Sequence, residues 1–148
     1  MSAGVVKARF VRKCFIMAVS GVALAVSFSS AVLAQPPATP EAAAVLWLSI
    51  VDGADYLKSW NRAGDLLKAQ FTAHDLQSKI APVREPLGAI LARKLFAVNL
   101  SNTMPGLPGG QYAVVQFKSR FANEAAAIET VALEKEDNRW MAIGYFIK

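Results

Sequence analysis

Two charged side chains occupy positions that strand alternation assigns to the buried face of a sheet. Glu129 shares its face with Val131 and Leu133, and Arg93 lies between two leucines of an earlier strand. A buried charge is costly unless it is paired, so we expect the two to face each other or other polar groups. At the base of a pocket, Glu129 could serve as an acid or base and Arg93 could bind an anion. The pattern favours the structural alternative, a satisfied ion pair or charges that reach solvent at a bulge.

Aromatic side chains supply the other candidate contacts. Tyr56 and Trp60 are four residues apart and share a helix face, while Trp140 and Tyr145 lie on the last predicted strand. Such rings could line a cavity for an apolar or aromatic ligand, although rings at helix and strand periodicity are more often core. The candidate ligand-binding residues are therefore Arg93, Glu129, Tyr56, Trp60, Trp140 and Tyr145.

The remaining chemical motifs favour structural roles. His74 is the only histidine, which excludes a His-rich metal site, and Thr72 and Asp75 around it indicate a solvated helix start. The glycine-rich segment 104–110 lacks the Gly-Lys-Ser/Thr ending of a phosphate loop. Arg84, between two prolines, is expected to bind loop carbonyls through its five donors. We predict no catalytic residue, no metal site and no cofactor.

The elements that position these residues follow an export signal. Basic residues at 7, 9, 12 and 13 precede an uncharged stretch of 21 residues, Cys14 to Ala34, with a small-x-small exit. This order predicts a secretory signal peptide over 1–34, cleaved after Ala34, and a periplasmic or secreted protein. The stretch could span a bilayer, so an uncleaved anchor is the alternative. Its four serines and its exit favour cleavage, which leaves no stable membrane span.

Removing the leader changes what the composition implies. The chain has a net charge of +5, but four of its sixteen basic residues and none of its eleven acidic residues lie in the leader, which leaves +1. A net charge this small gives no electrostatic reason to expect nucleic-acid binding. The only cysteine, Cys14, also lies there, so the remainder has no disulfide, thiolate metal site or cysteine nucleophile. It must depend on core packing.

The pattern after the leader predicts an α+β domain. Residues 35–40 read as a proline-rich linker and 41–148 as a single domain. Three helices are predicted: from the Thr39 cap to about Val51, over 55–68, and from Thr72 towards Ile80, closed by Pro82 and Pro86. Strands follow over 88–100, 110–121, 126–135 and 139–147, with Tyr112 on the outer face of the second. The helices should pack on a four-stranded antiparallel sheet, whose open edges leave room for a homodimer.

Several segments also resemble a known family in order and spacing. They are Arg84-Glu85-Pro86-Leu87-Gly88, Arg93-Lys94-Leu95, Leu107-Pro108-Gly109-Gly110-Gln111-Tyr112 with Val114-Val115-Gln116-Phe117, Glu129-Thr130-Val131, Arg139-Trp140 and Gly144-Tyr145-Phe146, preceded by Asp55-Tyr56 and Ser59-Trp60. The family is an uncharacterised bacterial domain of unknown function, number four thousand and nineteen. The resemblance implies a cystatin-like or NTF2-like layout, in which helices cross a curved sheet and can enclose a pocket. That layout hosts enzymes and binding modules alike, and the family brings no catalytic residues.

These observations favour an exported, non-catalytic module that binds a ligand or an envelope protein. The alternative is a small pocket enzyme, an isomerase, lyase or hydrolase, that uses Glu129 with Arg93 or a tyrosine. A third hypothesis is a structural partner in an envelope complex. An open cavity at Glu129 and Arg93 would favour a ligand or a substrate there, and a sealed pair would argue against both.

Overall fold

Helix α1 begins at the cap that the sequence supplies. In the computed structural model, which describes residues 37–148, α1 spans Pro40–Asp52. The Thr39 hydroxyl accepts a hydrogen bond from the Ala42 amide at 3.3 Å, and Pro40 occupies the first turn, where its missing donor costs nothing. The predicted first helix is confirmed. The predicted signal peptide, residues 1–34, lies outside the described residues.

The prediction of one helix over residues 55–68 was wrong, because two short helices occupy that stretch. They are α2, Tyr56–Asn61, and α3, Asp65–Gln70. Between them the chain touches the sheet: Ala63 forms a parallel bridge with Ala142, whose carbonyl accepts from the Gly64 amide at 2.8 Å. A side chain at Gly64 would collide with that of Glu136. This tertiary contact interrupts the helix.

Helix α4 spans Ala73–Arg84 and begins at the predicted cap, where Thr72 and Asp75 form a reciprocal capping box. It runs beyond the predicted end, to Arg84, and contains Pro82 in its last turn, where the proline costs the helix one amide donor. A 3₁₀ turn at Glu85–Leu87 then leads to Gly88. Gly88 has φ 75° and ψ −159°, a conformation reserved for glycine, and it turns the chain into the sheet.

Four antiparallel strands follow in a meander. They are β1, Ile90–Ser101; β2, Tyr112–Phe121; β3, Ala127–Glu136; and β4, Arg139–Ile147, in the order β1-β2-β3-β4. The two-residue turn between β3 and β4 has positive φ at Asp137 and Asn138, as tight hairpins require. Helices on one face of this sheet confirm the predicted α+β class.

The core lies between α1 and the inner faces of β2 and β3. Its sheet side alternates as predicted, and the principal members are Trp47, Leu48, Val51, Ala113, Val115, Phe117, Val131 and Leu133. Tyr112 is a correction: predicted on the exposed outer face, it is buried. The loop before β2 folds back over it, and the Tyr112 hydroxyl donates to the Pro108 carbonyl at 2.6 Å.

No helix within residues 37–148 has the length and apolar character needed to cross a membrane.

Candidate functional site

One hydrogen-bonded network connects the helices to all four strands. It will be called the carboxylate–guanidinium network, and its side chains are those of Asp52, Arg84, Arg93, Ser119, Glu129 and Tyr145. It contains two carboxylates and two guanidinium groups, so its formal charge is zero. Such balance is what a buried cluster of charges needs to be tolerated.

Glu129 is the most deeply buried charge in this network. The structure leaves it 0% exposed, and four hydrogen bonds reach its carboxylate. Oε1 accepts from Arg93 Nη2 at 3.0 Å and from the Tyr145 hydroxyl at 2.7 Å. Oε2 accepts from Arg93 Nε at 2.7 Å and from the Ser119 hydroxyl. The predicted pairing of Arg93 with Glu129 is therefore confirmed, and it is bidentate.

Asp52 is the second carboxylate, and sequence reasoning missed it. Its Oδ2 accepts from Arg93 Nη1 at 2.8 Å and its Oδ1 from Arg93 Nη2 at 3.1 Å. The same Oδ1 accepts from Arg84 Nη2 at 2.9 Å. The Asp52-Gly53 pair reads as a helix terminator, so its sequence context points to a solvated turn. Only the packing of α1 across the sheet brings this carboxylate to the two arginines.

Strand geometry explains how Arg93 reaches Glu129 from two strands away. Arg93 lies opposite Ser119 on β2, and Glu129 lies one strand further, opposite Phe117. Neighbouring strands are about 4.8 Å apart, so the long arginine side chain must pass over β2. The small side chain of Ser119 leaves that path open and supplies a donor to Glu129 as well.

Arg84 closes the network at the junction between helix and sheet. Its Nη1 donates to the Gly88 carbonyl at 2.7 Å, which confirms the predicted role in binding a loop carbonyl. Its guanidinium also lies 4.5 Å from the centre of the Phe121 ring, a cation–π distance. Arg84 thereby joins the end of α4, α1 and the end of β2.

Burial and charge shift the ionisation of the groups around Glu129. Burial raises the pKa of the Tyr145 hydroxyl, and the Glu129 charge and hydrogen bond raise it further. Burial by itself would lower the pKa of Arg93. Its hydrogen bonds to Asp52 and Glu129 and the attraction of both charges outweigh that effect and raise this pKa. Arg93 is thus held as a cation and Tyr145 as a neutral hydroxyl.

The other candidate residues do not join this cluster. The Tyr56 hydroxyl donates to Glu85 at 3.2 Å, and Trp60 Nε1 donates to the Phe71 carbonyl at 2.7 Å. The ring of Trp140 packs against the core margin, with Lys135 Nζ 5.8 Å from its centre. The structure therefore brings together Arg93, Glu129 and Tyr145, and it leaves Tyr56, Trp60 and Trp140 at three separate positions.

Two concavities flank the network. The first, the α1–β1 groove, has a volume of about 650 Å³, lies between those two elements and is wide open. Arg93 lines it with a side chain 12% exposed, and one N–H of its Nη1 is left over after the four bonds to carboxylates. Glu129 reaches neither concavity.

The second concavity, the β4 cleft, is smaller and more enclosed, with a volume of about 490 Å³. It lies between α3, α4 and the C-terminal half of β4. Its helical wall is Leu67, Gln70, Phe71, Leu76, Lys79, Ile80 and Val83, and its strand wall runs over residues 143–148. Tyr145 belongs to both the cleft and the network, since the residue lines the one and its hydroxyl joins the other.

Within residues 37–148, no group of three or more His, Cys, Asp or Glu side chains is arranged to hold a metal ion.

These features define an α+β domain built around a neutral buried ion network. The chain belongs to the family described as "Protein of unknown function (DUF4019)", whose model matches residues 43–145, and the resemblance seen in the sequence is thereby confirmed. Neither a curated protein nor a solved structure matches the chain. The cystatin-like or NTF2-like layout within the α+β class stays a prediction.

Removal of Glu129 should cost more stability than removal of Glu129 and Arg93 together. Glu129→Leu leaves Arg93 with one carboxylate shared between two arginines, and breaking a buried pair costs about 3–5 kcal/mol. The double variant Glu129→Leu/Arg93→Met leaves Asp52 and Arg84 as a balanced pair, so it should recover part of that loss. Urea unfolding measures each free energy. Lys94→Met, at an exposed neighbour of Arg93, is the control and should change it by less than about 0.5 kcal/mol. Additive losses in the double variant would contradict the pairing.

The fold should lose stability above pH 10 in part through Tyr145. Because the folded-state pKa of Tyr145 lies above its ordinary value of 10.0, the folded state retains a proton that the unfolded chain releases. Its contribution is complete below pH 10 and declines as the pH rises towards the raised folded-state pKa. The free energy of unfolding should therefore fall less steeply above pH 10 in Tyr145→Phe than in the parent. Tyrosinate absorbance present near pH 10 in the folded parent, but missing from the variant, would refute this.

Proposed function

We propose that this protein is an exported, non-catalytic binding module and that the β4 cleft is its binding surface. The observation that carries the proposal is the contrast between Glu129, sealed by four hydrogen bonds, and the open apolar cleft beside it. The basic leader, its uncharged stretch and its small-residue exit support export to the periplasm or beyond. The partner would be a small molecule or an envelope protein.

The state of Glu129 favours binding over catalysis. A general acid or base must reach the substrate and must exchange protons near the working pH. Glu129 is fully buried, and each of its oxygens already accepts two hydrogen bonds. The raised pKa of Tyr145 makes its hydroxyl a weak acid. At neutral pH almost none of it is tyrosinate, so it cannot serve as a base either. The enzyme alternative, which uses Glu129 with Arg93 or a tyrosine, has no available proton-transfer group in this network.

The dimensions and lining of the β4 cleft support ligand binding. Ligand sites are typically concavities of about 300–1,000 Å³, lined by apolar side chains with a few polar groups. The cleft has about 490 Å³, and its polar groups are few: a glutamine, two lysines and the backbone of β4. The network below holds Tyr145 in place, so this wall of the cleft is already formed before any ligand binds.

A thermal-denaturation screen tests this function. A library of envelope metabolites and short peptides should contain at least one class that raises the melting temperature by several degrees. A ligand at about one hundred times its Kd adds about 2.7 kcal/mol to the free energy of unfolding. The shift should vanish in Val83→Trp, which fills the cleft rim, and persist in Leu57→Trp, at another exposed apolar position, on α2.

Mass spectrometry of every stabilising compound completes this test. Recovery of the compound unchanged after prolonged incubation is the expected result. Its conversion to a product would favour the pocket enzyme. A complete lack of stabilisation, or stabilisation that Val83→Trp leaves intact, would contradict binding at the β4 cleft.

A further inference from the structure

The outer edge of β4 presents backbone groups without partners. Lys148 and Ile128 exchange two hydrogen bonds, of 2.8 and 3.0 Å, so they form a hydrogen-bonded pair of the antiparallel ladder. In such a ladder, alternate residues direct both their N–H and C=O groups towards the same neighbour. The backbone N–H and C=O groups of Phe146 therefore point towards β3, while those of Tyr145 and Ile147 point away from the sheet. Within the described part of the chain, no hydrogen bond reaches these four outward groups.

The neighbouring part of the same edge shows what these groups can bind. The Ala142 carbonyl, also on the outer side of β4, accepts from the Gly64 amide where Ala63 makes its single parallel bridge. The helices thus occupy the edge at Ala142 and leave it open beyond. Helix α4 then forms a second wall, and the space between that wall and the edge is the β4 cleft. An extended chain fits such a slot between a helix and a strand.

Beyond a bulge at Ile143, this edge lacks the other usual protections against strand pairing. Sheet edges are commonly blocked by charged side chains, prolines or bulges. Residues 144–147, which follow the bulge, are Gly-Tyr-Phe-Ile, with no charge and no proline, and Phe146 is 63% exposed. Accessible backbone groups and apolar side chains therefore occur together on one stretch of one strand.

The charge around the cleft indicates the sign of the occupant. Among residues 37–148, Lys79 and Lys148 are the charged residues that line it, and no Asp or Glu of that range does. Lys79 Nζ lies 5.3 Å from the centre of the Phe71 ring, at the cleft margin. A second copy of β4 supplies no acidic side chain, since Arg139–Ile147 contains none. The lysines therefore complement a different segment, one with a carboxylate.

We propose that the β4 cleft binds an extended peptide segment with alternate apolar side chains and an acidic end. The segment pairs with Tyr145 and Ile147 as a fifth strand, places its apolar side chains against α3 and α4, and directs its carboxylates to Lys79 and Lys148. This inference rests on the proposed binding function of the cleft, and it specifies the class of partner. Main-chain hydrogen bonds supply affinity, while the cleft and its lysines select the side chains.

The probe is a fluorescein-labelled octapeptide of alternating valine and threonine that ends in two glutamates. Its binding to the protein produced from the full chain is followed by fluorescence anisotropy. In a strand, alternate residues present their N–H groups to the same edge, so one set of amides should pair with β4 and the other should face solvent. N-methylation of one set should therefore weaken binding about tenfold or more, and N-methylation of the other should leave it within about twofold.

The protein side of the test uses the lysines. Lys79→Glu should weaken binding of the probe about tenfold. A probe that ends in two lysines should bind the Lys79→Glu variant more tightly than it binds the unsubstituted protein. Lys58→Glu, on the exposed surface of α2, is the matched control and should change the Kd by less than about twofold. A parent Kd that Lys79→Glu leaves unchanged would overturn the role of the lysines in the proposal.

Other outcomes separate this inference from the general binding function. If both N-methylated probes bind as tightly as the parent, or if the parent probe does not bind, strand addition is overturned. A cleft-dependent hit in the thermal screen would still leave the binding function standing in that case. A dimer in solution that the probe cannot dissociate, and that Phe146→Lys abolishes, would assign the edge to a second copy and overturn the peptide as its occupant.

Discussion

A carboxylate without access to water must be neutralised and hydrogen-bonded inside the fold, and Glu129 imposes that requirement on this protein. Arg93 meets it with a bidentate contact, and Ser119 and Tyr145 supply the remaining donors. Arg93 has N–H donors beyond those that Glu129 accepts, and Asp52 accepts two of them. Asp52 in turn accepts a hydrogen bond from Arg84. The chain of contacts runs from β3 to β1, across to α1, and on to the end of α4. The contacts that surround this buried charge thus tie α1 and the end of α4 to the sheet.

The strands and the ion pair could be predicted because both depend on local alternation. Glu129 lies in a run of core-facing positions, so its charge requires a partner. Arg93 is the other charged residue at a core-facing strand position and has the opposite sign. Asp52 could not be found in this way, since its contacts depend on how α1 crosses the sheet. The helix break at Gly64 depends on a bridge to Ala142, and the burial of Tyr112 depends on a loop that returns over it. Each of these is a tertiary effect with no periodic pattern in the sequence.

The molecule therefore combines a closed polar interior with an open apolar margin, and Tyr145 belongs to both. Its hydroxyl completes the hydrogen bonding of Glu129, its ring packs edge-on against Trp47 at 5.7 Å, and its backbone lies on the free edge of β4. A rigid network that supports an accessible edge suits recognition better than proton transfer, which needs an accessible titrating group. Family membership leaves that function open, so it must be tested on the protein itself.

The central claim is that Arg93 is held by two carboxylates as part of the structure, and nitrogen-resolved NMR of the arginine side chains tests it most directly. Four of its five N–H groups are donated to Asp52 and Glu129, so rotation about its guanidinium bonds and exchange with water should both be slow. Arg93 should therefore give separate, slowly exchanging Nη signals at neutral pH, unlike the exposed Arg120 and Arg139. An averaged, rapidly exchanging Arg93 signal that matches those of the two surface arginines would contradict the account.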